Sequence, residues 1–243
     1  MLSNSLLSKL ILALGIYLYS DYSNADPNMN IPDSPGIHDV RMTTSLGDVD
    51  VTLSIPESLE ERAIPLVLVL HYAGEPSAFY GRPLLEYLVL PSFETFPAMM
   101  LAPTSLGGDW RQPHNIKAIF ELIETLERQF KLETKRRVVT GYSMGAIGSW
   151  HITREYPEFF SAALPVAGFP MPITKCHVPT HAILSSDDEI FALEKFTQSV
   201  AQGSDPNLHY TIINGAGHYD ISAFAPALQK AVTEIVQTLD AKK

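Results

Sequence analysis

Cysteine is almost missing from this chain: Cys176 is the one cysteine in 243 residues. It can form no intrachain disulfide, and no cysteine-built metal cage is possible. Positive charge is also scarce, with 17 Lys and Arg against 27 Asp and Glu, a net charge of −10. A surface of that sign gives no electrostatic footing for nucleic acid or for anionic membranes. No glycine-rich dinucleotide loop and no P-loop lysine occur, so the common sequence signals for a nucleotide cofactor are missing. The apolar run at residues 10–19 is ten residues long, too short to span a bilayer. What is there suits a folded enzyme-sized domain. Hydrophobic residues make up 46% of the chain, which argues against disorder. The length accommodates one sizeable α/β domain and is too short for two comfortable ones.

Residues 1–25 stand apart. Lys9 is the only charged side chain before the apolar run at 10–19, and Ser23-Asn24-Ala25 puts small residues at the −3 and −1 positions of a cleavage site before Asp26. Residues 1–25 therefore read as a signal peptide, with an uncleaved hydrophobic anchor as the alternative. The expectation is an exported protein, periplasmic or secreted, with residues 26–243 as its single domain and no membrane span once the signal is removed.

The rest alternates strand and helix signals. Residues 40–44 and 49–55 read as a hairpin, since Val49, Val51 and Leu53 alternate with polar neighbours. Residues 66–70 are continuously apolar, as a central strand covered on both faces should be. A weak helical pattern around Leu84, Leu85, Leu88 and Val89 is expected to stop at Pro91. Residues 98–102 form another short strand. Ile116, Ile119, Phe120, Ile123, Leu126 and Phe130 recur at helical spacing. Strands follow at 136–140, 161–167, 182–185 and 209–213, and a closing helix at 226–239. That order implies βαβ units around a mostly parallel sheet with helices on both faces.

One pentapeptide carries the chemistry. Gly141-Tyr142-Ser143-Met144-Gly145 stands between the β-branched run Val138-Val139-Thr140 and a helical stretch from Ala146. A serine there sits on a tight turn whose neighbours must be small, with its hydroxyl raised above the sheet edge beside a helix N-terminus. A serine hydroxyl is a weak nucleophile until a base removes its proton, and that base is usually a histidine oriented by a carboxylate. The chain supplies both in the order Ser, Asp, His. His218 follows the last strand in the glycine turn Asn214-Gly215-Ala216-Gly217. Asp187, Asp188 and Glu189 follow the 182–185 strand as three adjacent carboxylates. Whichever aspartate the triad leaves unused is expected to cap a helix. An oxyanion hole needs two N–H donors. Met144, directly after the nucleophile, offers one, and Ala73, in the His71-Tyr72-Ala73-Gly74 loop after residues 66–70, offers the other. His71 reads as a structural hydrogen-bonder, not a base. Tyr72, Trp110 and Phe169 are candidate substrate-binding aromatics. Cys176, His177 and His181 are not expected to bind metal, because Val178-Pro179-Thr180 prevents the helix that would align the histidines.

Taken together, residues 135–145, Tyr156-Pro157-Glu158-Phe159-Phe160, Pro165-Val166-Ala167-Gly168 and Trp110 resemble the α/β-hydrolase superfamily. They are most similar to its compact esterases: the phospholipase/carboxylesterase, feruloyl-esterase and polyhydroxybutyrate-depolymerase-like group. Departures are Tyr72 in place of a glycine, Glu75 beside the oxyanion loop, Ala146 in place of a second glycine, and Leu184-Ser185 before the acid. The resemblance implies the α/β-hydrolase fold without a large lid, since only a short segment intervenes at 168–178. Counting from the strand end as in that family selects Asp188 over Asp187. It also implies hydrolysis of a small-molecule carboxylic ester, of short or medium acyl length, through an acyl-enzyme and without a cofactor. A peptidase or acyltransferase using the same triad is the alternative, as is a binding protein on a catalytically dead scaffold. If the signal reading is right, N-terminal sequencing of protein made in an exporting host returns a chain beginning at or near Asp26; an intact Met1 in a soluble cytoplasmic fraction refutes it.

Overall fold

The computed structural model describes residues 31–57, 63–201 and 203–241. The expected signal segment lies outside them. Strands β1 (Gly36–Thr44), β2 (Gly47–Ile55), β3 (Ile64–Leu70), β4 (Met99–Pro103), β5 (Leu132–Tyr142), β6 (Ala162–Val166), β7 (Thr180–Ser185) and β8 (Leu208–Ile213) form one sheet in the order β1-β2-β4-β3-β5-β6-β7-β8. The β1–β2 and β2–β4 pairs are antiparallel; every later pair is parallel. This is the α/β-hydrolase arrangement.

The helices cover both faces, and strand alternation decides which side chains meet which helix. Val67, Val69, Val138, Leu164 and Ile183 point to one face. There they meet α1 and α5. The first is a continuous helical stretch, Arg82–Leu84, Leu85–Val89 and Leu90–Ser92; the second is Ala225–Asp240, with Leu228, Val232, Ile235 and Leu239 inward. The other face receives α2 (Pro113–Gln129), α3 (Met144–Glu155) and α4 (Leu193–Val200). Within β7 the switch is visible residue by residue: Ile183 belongs to the first cluster, while Ala182 and Leu184 pack with Trp150 and Phe196.

Three local outcomes differ from expectation. Pro91 does not stop α1, which runs to Ser92. Residues 85–89 form a π turn just before it, with the Leu90 N–H bonded to the Leu85 carbonyl. In regular α geometry the proline ring would strike the carbonyl four residues back, and the widened turn relieves that clash. Helix α4 was not legible as a helix, because Phe196 is its one buried residue and leaves too thin a periodicity. Strand β5 starts earlier than the apolar run, at Leu132, because Ile64 pairs with it there before a register shift.

Helix α3 lies close enough to its neighbours to require glycine at Gly148. A Cβ there would fall 2.5 Å from Trp110 Cβ and 3.0 Å from Leu70 Cδ1. In an exposed helix Gly→Ala would add about 1 kcal/mol of stability. Here overpacking outweighs propensity, so Gly148→Ala is expected to lower stability by about 1–3 kcal/mol. Denaturant unfolding of the pure variant checks this, and a gain in stability would show that Trp110 yields.

Candidate active site

Strand β5 delivers Ser143 to the start of α3 on a backbone that few residues adopt, φ 56° and ψ −113°. A conformation of this kind costs on the order of 1–3 kcal/mol and persists only when its surroundings hold it. They do so from both sides. The Ser143 N–H donates to the Val166 carbonyl at 2.9 Å, and the Ser143 carbonyl accepts the Ile147 N–H at 3.1 Å. The flanking glycines serve as space, for neither has a positive φ. A Cβ at Gly145 would lie 1.9 Å from the Leu70 carbonyl oxygen, and one at Gly141 would lie 2.4 Å from that of Gly145.

The Ser143 hydroxyl is 2.9 Å from His218 Nε2, and His218 Nδ1 is 2.8 Å from Asp188 Oδ2. Because the carboxylate can only accept, the proton of the neutral ring belongs on Nδ1, which leaves the Nε2 lone pair facing the serine. His218 and Asp188 are 5% and 7% exposed, so the pair is shielded from competing water. The other Asp188 oxygen, Oδ1, accepts the N–H groups of Ile190 and Phe191 at 2.8 and 2.7 Å. These bonds fix the carboxylate in orientation as well as in place.

The adjacent acids have separate tasks. Asp187 is exposed and does not reach the imidazole. It accepts from the Ser186 hydroxyl and from the Gly215 N–H at 2.6 and 2.7 Å, and these bonds hold its carboxyl below the usual range. It anchors the histidine loop, so the expectation that the unused aspartate caps a helix is corrected: no helix begins there. Glu189 Oε2 accepts the His218 backbone N–H at 2.8 Å, and Asp220 Oδ2 accepts the Gly217 N–H at 2.8 Å. Tyr142, inside the elbow, donates its hydroxyl to the His218 carbonyl at 2.7 Å. Burial first, then Asp188, Asp220 and Glu189, push the Tyr142 phenol upward, so it stays a donor. Sequence reasoning missed Glu189, Asp220 and Tyr142 as loop anchors. Their spacing from His218 signals nothing until the chain is folded.

The two N–H groups expected at the oxyanion site lie on the expected elements. Met144 opens α3, where its N–H has no intrahelical partner. Ala73 is exposed in the bend after β3. Beneath that bend His71 is 1% exposed and fully engaged. Its Nε2 accepts the Ser105 N–H at 3.0 Å, its Nδ1 donates to the Tyr72 carbonyl at 2.7 Å, and its carbonyl accepts Trp110 Nε1 at 2.8 Å. His71 is thus a structural link between loops.

Of the three candidate substrate aromatics, Tyr72 alone is partly open to solvent, with its ring 5.5 Å from that of Tyr80. Trp110 and Phe169 are corrected. Trp110 is 1% exposed, packed on His71 and locked by its indole hydrogen bond. Phe169 is 3% exposed between Phe191 and Phe196. Both are core rings whose faces a substrate cannot reach. Among the described residues no group of three or more His, Cys, Asp or Glu could hold a metal ion, and no helix is long and apolar enough to cross a membrane. His181 is engaged with Thr211 and Glu234. A concavity of about 400 Å³ is bordered by Phe120 of α2, His151 of α3, Arg111 just before α2 and Tyr156 just after α3, and by none of Ser143, Asp188 and His218.

Against known proteins, the family described as "Putative esterase" matches residues 108–238, more than half of the chain, and the chain belongs to that esterase family. A sequence search of curated proteins finds no match. Among solved structures, a thermostable esterase is 19% identical with a TM-score of 0.66 over 83% of this chain; this chain spans 62% of that protein. A Xanthomonas campestris protein, XC6422, described as an α/β serine hydrolase without a lid, is 12% identical with a TM-score of 0.66, covering 86% of this chain and 96% of its own. An S-formylglutathione hydrolase from Staphylococcus aureus is 13% identical with a TM-score of 0.65, covering 85% and 99%. At these identities the likeness concerns the fold alone.

Burial pushes the His71 imidazole down to about 4, and its hydrogen bond to Tyr72 offsets this only in part. The unfolded chain therefore binds the proton first as pH falls. His71's contribution to stability is complete above the ordinary histidine value near 6.5 and is lost as pH drops toward 4, a loss of about 3 kcal/mol. Urea unfolding of the parent and of His71→Gln across pH 4–7 tests this: the stability gap between them should shrink toward acid, and a constant gap would contradict it.

Proposed function

We propose that the protein hydrolyses small carboxylic esters with Ser143 as nucleophile, His218 as general base and acid, and Asp188 as the carboxylate that orients His218. The observation that carries this reading is the continuous hydrogen-bonded chain from Ser143 through His218 to a buried Asp188, set on a strained strand-to-helix turn. Ser143 Oγ attacks the carbonyl carbon while Nε2 of His218 takes its proton. The N–H groups of Met144 and Ala73 receive the developing oxyanion. The C–O bond to the alcohol breaks, and the imidazolium returns the proton to the leaving oxygen. Water then attacks the acyl-enzyme by the same route and releases the acid. The cycle consumes one ester and one water and needs no cofactor.

The short connection between β6 and β7, residues 167–179, contains no helix or strand that could cover the serine. It supports short or medium soluble esters as substrates in preference to emulsified long-chain lipids. The residues before Asp26 support export to the periplasm or the medium.

A fluorophosphonate should label Ser143, and Ser143→Ala should lose both labelling and turnover, with kcat falling on the order of 10⁶. Asp188→Asn should cost about 10⁴ in kcat, since it favours the wrong tautomer, whereas Asp187→Asn, at a residue bonded to the Ser186 hydroxyl and the Gly215 N–H and not to the imidazole, should cost less than about tenfold. Chromogenic esters of rising acyl length read both effects. Near-parental activity in Ser143→Ala would refute the assignment, and the reverse ranking of the two aspartates would move the acid to Asp187.

A further inference from the structure

Ester hydrolysis by Ser143 and His218 fixes where half of the substrate must lie. The leaving alkoxide takes its proton from Nε2 of His218, so the alcohol oxygen of the ester must come within hydrogen-bond reach of that nitrogen. The carbon group on that oxygen then rests against whatever borders the imidazole.

The inner side of the imidazole is closed. Asp188 occupies Nδ1 at 2.8 Å, and the ring of Tyr142, itself 2% exposed, lies 5.7 Å away. Two further rings flank the imidazole. The Phe191 ring stands 5.6 Å from the imidazole at 33°, and the Tyr219 ring stands 5.4 Å from it, nearly perpendicular at 88°. Tyr219 is 76% exposed, and Ile190 beside Phe191 is 55% exposed. A single exposed apolar side chain on a protein surface needs no explanation, but an exposed ring set against the imidazole, with a second ring beside it, does. Among the described residues the only ring that Tyr219 meets is His218, so core packing does not account for its position. Three carboxylates stand nearby: Asp187, Glu189 and Asp220 hold the backbone of residues 215–218, and all three are exposed.

We infer that Tyr219, with Phe191 and Ile190, is the binding surface for the alcohol half of the ester, and that this half is uncharged and apolar, of the aryl or arylalkyl class; the assignment rests on the esterase reading of Ser143 and His218. An aromatic alcohol gains contact area on Tyr219 and Phe191. A polyol leaves its hydroxyls against apolar rings, and an anionic alcohol meets three carboxylates. In the acylation step the Ser143 Oγ–carbon bond forms, the carbon–alcohol oxygen bond breaks, and the serine proton passes through Nε2 to the leaving oxygen. The acyl-enzyme is therefore the same whatever the alcohol, and the selectivity resides wholly in acylation.

Acetate esters of benzyl alcohol, glycerol and glycolate isolate this effect, because they share one acyl-enzyme. The parent enzyme should show kcat/KM for benzyl acetate at least about tenfold above glyceryl monoacetate, with the glycolate ester lowest. In Tyr219→Ala the benzyl-to-glyceryl ratio should fall about tenfold, and Tyr219→Phe, which keeps the ring, should restore it. Circular dichroism of the variants confirms the fold, which an exposed side chain hardly affects. A parental preference for glycerol or glycolate, or a ratio unmoved in Tyr219→Ala, overturns the inference while leaving the triad intact. Hydrolysis that survives Ser143→Ala would instead overturn the esterase reading itself.

Discussion

The approach of helix α3 to the end of strand β3 is the constraint on which the rest of the molecule depends. The Leu70 carbonyl lies so near Gly145 that a Cβ there would stand 1.9 Å from it. That approach puts the first turn of α3 directly over the sheet edge. It forces Ser143 into its positive-φ conformation and leaves the Met144 N–H at an unpaired helix start beside the hydroxyl. A wider gap would let Ser143 relax into ordinary geometry, and its hydroxyl would no longer meet the histidine. The strain is local, but the sheet on one side and Trp110 beneath Gly148 on the other bear it.

The second half of the site is built on the opposite principle. Ser143 is held by tight backbone packing, whereas His218 arrives on a loop and is held by hydrogen bonds. Carboxylates grip the N–H groups of Gly215, Gly217 and His218, a tyrosine donates to the His218 carbonyl, and Ser185 donates to the Ala216 carbonyl. Charge-assisted bonds of this kind are stronger than neutral ones and compensate for the looseness of a glycine turn. They also gather three carboxylates on the backbone of the loop that carries His218. Part of the net acidity of the chain thus has a structural task, that of holding a glycine turn in place.

The aromatic residues divide between these roles by burial. Trp110, Phe169 and Phe196 are sealed in the interior and fix the loops that frame the site. Tyr219 is exposed with its ring against that of His218, and Phe191 bridges the two groups, touching Phe169 on one side and His218 on the other. Among the described residues the connection at 167–179 holds no helix or strand to close over the site. What selectivity it has must come from side chains already on the rim.

Much of this was readable from the chain itself. The apolar run at 66–70, the periodic helix beginning near Ile116 and the Gly-x-Ser-x-Gly turn are patterns of neighbouring residues, and local periodicity and turn chemistry fix them. From such patterns come a mostly parallel sheet flanked by helices, Ser143, and, with the glycine turn that precedes it, His218 as the residues to examine; the α/β-hydrolase fold came from the family resemblance that these residues carry. The residues by themselves left three consecutive carboxylates open, because at that spacing their directions depend on the turn after β7; it was the family resemblance that selected Asp188, which is the one on His218. The chain could not show that Trp110 and Phe169 are sealed, or that Glu189, Asp220 and Tyr142 grip the loop around residue 218. It gave no sign that α1 would pass Pro91 through a π turn. Each of these is settled by partners distant in sequence, whose positions exist only once the sheet has formed. Local pattern determines which elements form and which residue types they carry; the close packing of those elements decides which side chains are reachable and which atoms meet.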